Sequence, residues 1–97
     1  MLDLYELCQL VAFAELGTLS KVADQFYVST PSITRSMQHL EKSFGVPLFL
    51  RGKNKIELNE TGKTAVEYGQ KLLQNANQTV EAVRTFDQRR MTIVLCS

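Results

Sequence analysis

The chain has 97 residues, 11 basic and 10 acidic side chains, a formal net charge of +1, and a 44% hydrophobic fraction. That length suits one small domain with an appended element, and that apolar content excludes a disordered chain. Cys8 and Cys96 lack metal or redox spacing, the N-terminus carries no signal-peptide pattern, and no apolar run approaches membrane length. A reduced, cytoplasmic protein with no membrane contact is the expectation.

Residues 3–16 read as a first helix, with Leu4, Leu7, Cys8, Val11 and Ala14 on one face and Leu10 beside them. Asp3 and Glu6 suit its positive N-terminal end, and Gly17 ends it. Thr18 can cap a second helix over residues 19–26, whose inner face is Leu19, Val22, Ala23 and Phe26. Tyr27, Val28 and Ser29 form a turn without glycine. A third helix starts near Thr30, with Pro31 in its first turn and Ile33, Met37, Leu40 and Phe44 facing inward. Gly45 ends it, and Pro47 prevents its resumption.

The period then changes. Residues 48–50 and 56–58 read as two short strands around a turn at Gly52, Lys53, Asn54 and Lys55, which makes a wing. Asn59 caps a last helix running to about residue 88. Gly62, Val66, Gly69, Leu73, Ala76, Val80 and Val83 repeat at spacings of 4, 3, 4, 3, 4 and 3, a heptad seam, and Ala65, Tyr68 and Leu72 widen its apolar face. One long helix cannot cover that surface itself, so it is expected to pair with its copy. Residues 91–97 begin MTIVLC, which reads as a strand with no partner strand in the chain. The two sequons, at Asn59 and Asn77, read as chance in a chain without a secretory signal.

Charge is unevenly placed. Residues 1–28 hold four acids and one base, whereas residues 29–56 hold five bases (Arg35, Lys42, Arg51, Lys53, Lys55) and one acid, Glu41. A basic segment around two short helices and a turn points to a helix-turn-helix that lays its second helix in the major groove of DNA. The chain has no paired-carboxylate or Cys/His arrangement and no phosphate-cradling glycine loop, so an enzyme is not expected.

An ordered series of motifs resembles the N-terminal domain of LysR-type transcriptional regulators. It comprises Thr18, Val22-Ala23, Ser29-Thr30-Pro31-Ser32-Ile33-Thr34, Leu40-Glu41, Gly45, Leu48-Phe49-Leu50-Arg51 and Leu58-Asn59-Glu60-Thr61-Gly62. The match covers roughly residues 3 to 90. The resemblance implies a mainly α fold: a winged helix-turn-helix of three helices and a two-stranded wing, followed by a long dimerisation helix. It divides the chain into a DNA-binding domain at 1–58, a linker helix at 59–90, and the start of an absent effector domain at 91–97. That absent domain would bind a small-molecule co-inducer, so no cofactor is expected in this fragment. Thr30 stands where the family has glutamine, which removes a side chain able to bond adenine in two places. Val22, Phe26 and Phe44 replace an alanine and two leucines, which suggests a repacked core.

The expected function is sequence-specific binding of double-stranded DNA by a homodimer, with regulation of transcription. Tetramer formation in the full-length protein stays open. The outward face carries Thr30, Pro31, Ser32, Thr34, Arg35 and Gln38. Arg35 can fork onto guanine, Gln38 can read adenine or hold a phosphate, and Ser32 and Thr34 suit phosphate oxygens. The resemblance favours Thr30, Pro31 and Arg35 as base-facing. Lys53, Asn54 and Lys55 at the wing tip, with Arg51 nearby, would touch flanking DNA; Lys53 and Lys55 could equally be edge-strand charges that block aggregation. Dimerisation is assigned to Val66, Gly69, Leu72, Leu73, Ala76, Val80 and Val83, with docking onto the absent domain as the rival. His39 reads as an exposed polar residue, a phosphate contact being the sharper alternative, and Cys8 as core. The competing reading of the whole chain is a protein-interaction module, a coiled-coil-like dimer that binds no DNA.

Overall fold

The computed structural model describes the backbone of residues 2–52 and 55–96 and the side chains of that span up to residue 90. Its elements follow the order α1 (Leu4–Leu16), α2 (Leu19–Phe26), α3 (Thr30–Phe44), β1 (Phe49–Arg51), β2 (Ile56–Leu58) and α4 (Glu60–Cys96). Short polar side chains start every helix. Asp3 accepts from the Tyr5 N–H at 2.8 Å, Thr18 from the Lys21 N–H, Ser29 from the Ser32 N–H, and Asn59 from the Gly62 N–H at 2.7 Å. Each such cap contributes about 1 kcal/mol. Gly17 and Gly45 end α1 and α3 with left-handed backbone at φ 86° and 77°. The same role at the end of α2 falls to Tyr27, at φ 57°. A side chain there costs about 1–2 kcal/mol relative to right-handed backbone, which is why glycine is commoner in such turns.

α1 packs against α2, α3 and α4 at once, and the core gathers around it. Leu7, Leu10, Phe13, Val22, Ala23, Ile33, Met37, Leu40, Leu48, Phe49 and Val66 are all buried. The Phe13 and Phe49 rings meet edge to face at 5.7 Å between centroids, which joins α1 to the wing. The buried arc of α1 is not the expected one. Leu7, Gln9, Leu10, Ala12 and Phe13 are inside, Cys8 and Val11 are half-buried, and Leu4 and Ala14 are exposed. The arc used passes through one glutamine and one alanine, which carry no weight in a count of large apolar residues. Gln9 is 2% exposed, and its Oε1 has no hydrogen-bond partner among the described residues. Such an orphaned acceptor costs about 1–3 kcal/mol.

Three further expectations are corrected. Phe44, placed on the inner face of α3, is exposed beside the closing Gly45, because the helix has already run past the core at Leu40. The strand expected in residues 91–97 is not formed: α4 continues through Cys96. A lone strand leaves its backbone groups unpaired, whereas extending an existing helix adds a bond with each residue. The N-terminal part of the heptad seam is used within the chain. Val66 is buried, and a Cβ at Gly69 would stand 2.8 Å from Leu7 Cδ1. α1 therefore occupies the groove that the seam pattern reserved for a partner helix.

The wing is a two-stranded antiparallel hairpin with Phe49 opposite Leu58, Leu50 opposite Glu57, and Arg51 opposite Ile56. Gly52 N–H donates to the Lys55 carbonyl at 2.9 Å and closes the turn. Beyond the body, α4 runs on as a stalk, and the principal extents are 68 × 26 × 21 Å.

Candidate nucleic-acid interface

α3 has two unlike sides. Ile33, Met37 and Leu40 point into the core, at no more than 2% exposure. Thr30, Pro31, Arg35 and Gln38 lie on the exposed side, with Ser32 and Thr34 half-buried between. The division follows from helical spacing: large apolar residues at 33, 37 and 40 fix the rotation of the helix, and that rotation decides which polar residues face out. Small side chains in the first turn leave the backbone close to any surface laid against it. Arg35 has no ion pair or hydrogen bond among the described residues, so its five N–H donors face solvent.

The hydroxyl groups are less free than their sequence positions suggest. Thr34 Oγ1 donates to the Thr30 carbonyl at 3.3 Å, and Ser36 Oγ donates to the Ser32 carbonyl at 3.1 Å. Ser29 Oγ and Ser32 Oγ lie 2.9 Å apart, so one hydroxyl donates to the other and one proton stays available. A phosphate oxygen needs a donor. Of the two hydroxyls expected to contact phosphate, Thr34 must first release its own helix carbonyl.

The wing adds charge beside α3. Arg51 Nη2 lies 3.6 Å from Glu41 Oε1, and Lys55 is exposed at the start of β2. Lys53 and Asn54, expected at the wing tip, lie outside the described residues. His39 is not idle surface: its Nδ1 is 3.0 Å from Glu6 Oε2, which ties the outer side of α3 to the start of α1. Among the described residues, no cluster of His, Cys, Asp and Glu could hold a metal ion, and no helix is long and apolar enough to cross a membrane.

Sequence reasoning missed Glu41. Its carboxylate accepts from the Leu48 N–H at 2.9 Å while it faces Arg51. It fastens the entry of the wing to the third helix. The available signal was its isolation as the one acid among five bases. Gly62 was read as a seam position, but a Cβ there would collide with the Leu48 carbonyl oxygen. No spacing rule could have separated that contact from a helix–helix one.

Along α4 the apolar surface left open lies beyond the body. Leu72, Val80, Val83 and Phe86 are exposed, and Leu73 packs partly on the core. Ala76 is half-buried.

Comparison with known proteins agrees with this geometry. Residues 4–63 match the family described as bacterial regulatory helix-turn-helix protein, lysR family. A probable RuBisCO transcriptional regulator of Synechocystis sp. is 39% identical over 74 residues, which cover 76% of this chain and 21% of that protein. The chain thus spans about a fifth of the length of that curated relative. Among solved structures, the CbnR_DBD–DNA complex is similar at 33% identity and a TM-score of 0.81, covering 87% of this chain and 97% of that one. The BenM_DBD/catB site 1 DNA complex is similar at 30% identity and a TM-score of 0.78, with 87% and 93% covered.

Proposed function

The chain belongs to the LysR family of bacterial regulatory helix-turn-helix proteins, a DNA-binding transcription-regulation domain and not an enzyme, and we infer that it reads double-stranded DNA sequence-specifically as a homodimer. The observation that carries this reading is the exposed edge of α3. Among the described residues Arg35 and Gln38 stand unpaired on α3, whose opposite side is locked into the core. Arg35 is assigned to guanine O6 and N7, Gln38 to adenine or a phosphate, and Thr30 and Pro31 to base edges. Arg51, Lys55 and the wing-tip Lys53 and Asn54 are assigned to the flanking backbone or minor groove. Leu72, Ala76, Val80 and Val83 would join the two stalks. The open apolar surface of Leu72, Val80 and Val83 supports this, since a helix does not leave such a row in water without a partner. Two copies of α3 would then meet half-sites about 34–36 Å apart, or a multiple of that distance.

Residues 1–58 form the reading head in this account and residues 59–90 the linker. The remaining length of the relatives would hold the sensing domain and its small-molecule co-inducer. The regulator would act in the cytoplasm, where bacterial DNA lies.

A fluorescence-anisotropy titration of the chain on duplex fragments selected from a random pool tests the reading. Affinity should fall with salt by about 0.9 log units per phosphate neutralised for each log unit of salt. Arg35→Ala should lose about 1–3 kcal/mol on the selected duplex and much less on random DNA. Equal losses on both would remove Arg35 from base reading. Failure to bind any duplex at low salt would favour a protein-interaction module instead.

A further inference from the structure

Leu48 sits at a crossing of three elements. Its N–H donates to Glu41 Oε2 on α3 at 2.9 Å. Its carbonyl accepts from the Asn59 N–H at 3.0 Å, at the cap of α4. Its side chain is fully buried. The neighbouring Pro47 carbonyl accepts from Asn59 Nδ2 at 3.2 Å. Gly62, in the first turn of α4, leaves only a hydrogen where a Cβ would strike the Leu48 oxygen, and that same Cβ would stand 2.9 Å from Leu58 Cδ2. One peptide unit of β1's approach is thus bonded on one side to the third helix and on the other to the stalk. Glu41 also faces Arg51 at 3.6 Å, so its carboxylate pulls the wing strand toward α3 from two points.

We infer that this crossing is a rigid joint that sets the angle between α3 and α4. Glu41 and Gly62 are then positioning residues that select the half-site separation a pair of copies accepts. The inference rests on the DNA-reading homodimer proposed above. The geometry makes the effect large. If the paired stalks define the axis of the dimer, each α3 turns about the joint at the start of α4, where Gly62, Leu48 and Glu41 meet. A rotation of about 10° at the joint, acting over the roughly 16 Å of α3 from Glu41 back to Thr30, moves the start of each α3 by about 3 Å and changes the separation of two copies by up to about 6 Å. That exceeds the 3.4 Å rise of one base pair. Contacts within either half-site need not change for the preferred spacing to change. Neither residue is expected to touch DNA: Glu41 carries the wrong charge for a phosphate, and Gly62 has no side chain.

Two measurements on the 97-residue chain test the joint, using Glu41→Ala, Glu41→Gln and Gly62→Ala, with Glu60→Gln as a control on the exposed Glu60–Lys63 pair. The first is the α3–α4 angle in solution from backbone residual dipolar couplings, without DNA. The second is anisotropy on a series of duplexes carrying two half-sites whose separation changes by one base pair at a time, beside a duplex with one half-site. Gly62→Ala should rotate α4 by several degrees and move the best spacing by one base pair or more. Glu41→Ala should flatten the series, reducing the preference for the best spacing over its neighbours by at least about threefold, while Glu41→Gln, which keeps an acceptor for the Leu48 N–H, should fall between it and the native chain. The control should leave both readouts at native values. An unchanged angle in folded Glu41→Ala, or equal weakening on every duplex including the single half-site, would overturn the joint. If the native chain bound no duplex at any spacing, the DNA-reading proposal would fail, and the couplings alone would still decide whether the angle depends on these residues. Should Gly62→Ala not fold, the two Glu41 variants decide the matter.

Discussion

The body formed by α1–α3 and the far half of α4 are built from the same kinds of residue and use them in opposite ways. In the body, Leu10, Ile33 and Leu40 are wholly removed from water. Along the stalk, Val80, Val83 and Phe86 are between 49% and 67% exposed. The body is closed by its own chain because α1 is surrounded by three other helices. Among the described residues the stalk has no neighbour past the point where α1 ends, which leaves its apolar row to be covered by a partner. Heptad spacing alone hides this difference, since Val66 and Val80, two heptads apart, hold equivalent seam positions and one is buried and the other open.

The largest effect that would break the comparison is in the body. Leu10→Ala should destabilise the fold by about 2–5 kcal/mol, read as a lower urea midpoint for the loss of helical circular dichroism. If the loss were no greater than that of a stalk truncation such as Val83→Ala, the two regions would not differ in the way described.

A charge on the stalk comes next. Val83→Glu places a carboxylate on the open apolar row and should shift the proposed homodimer to monomer in sedimentation equilibrium. The body should keep its fold, seen in unchanged chemical shifts for α1–α3. A still-dimeric variant would remove Val83 from the contact. Loss of the body as well would mean that the head cannot stand without its partner.

The smallest effect sharpens the account of the turn. Tyr27 is 94% exposed and carries a left-handed backbone. Tyr27→Asn keeps that conformation with a residue that tolerates it, and should raise stability by up to about 1 kcal/mol in a thermal melt. Stability lower than native would show that the tyrosine ring contributes contacts outweighing the backbone cost.

Much of the fold was legible because helix ends are local events. Thr18, Asn59, Gly17 and Gly45 announce caps and stops through their own side chains or their lack of one, and each serves in that way. The outward side of α3 was legible for a related reason: Ile33, Met37 and Leu40 fix the helix rotation, and Arg35 and Gln38 follow from it. The wing was placed within one residue, its first strand beginning at Phe49 where Leu48 was expected.

What failed to show depended on contacts between distant residues. The face of α1 was misjudged because a helix packed on three sides buries residues such as Gln9 and Ala12 that no apolar count selects. Glu6 and His39 are 33 positions apart, and nothing in either residue names the other. The end of α4 was misread because Thr92, Ile93 and Val94 have strand character, and only the helix already running into them decides otherwise.

The sequence by itself therefore settled the local grammar: where helices start and stop, where the period switches to a hairpin, and which polar edge the third helix offers. These depend on side chains acting on their own backbone within a turn or two. Only the tertiary structure decided that α1 spends the first part of the heptad seam and that Gly62 serves a carbonyl rather than a helix. It also revealed that Glu41 ties the wing to α3. Each of those is a matter of distances between segments far apart in the chain, and such distances exist only after the elements have packed.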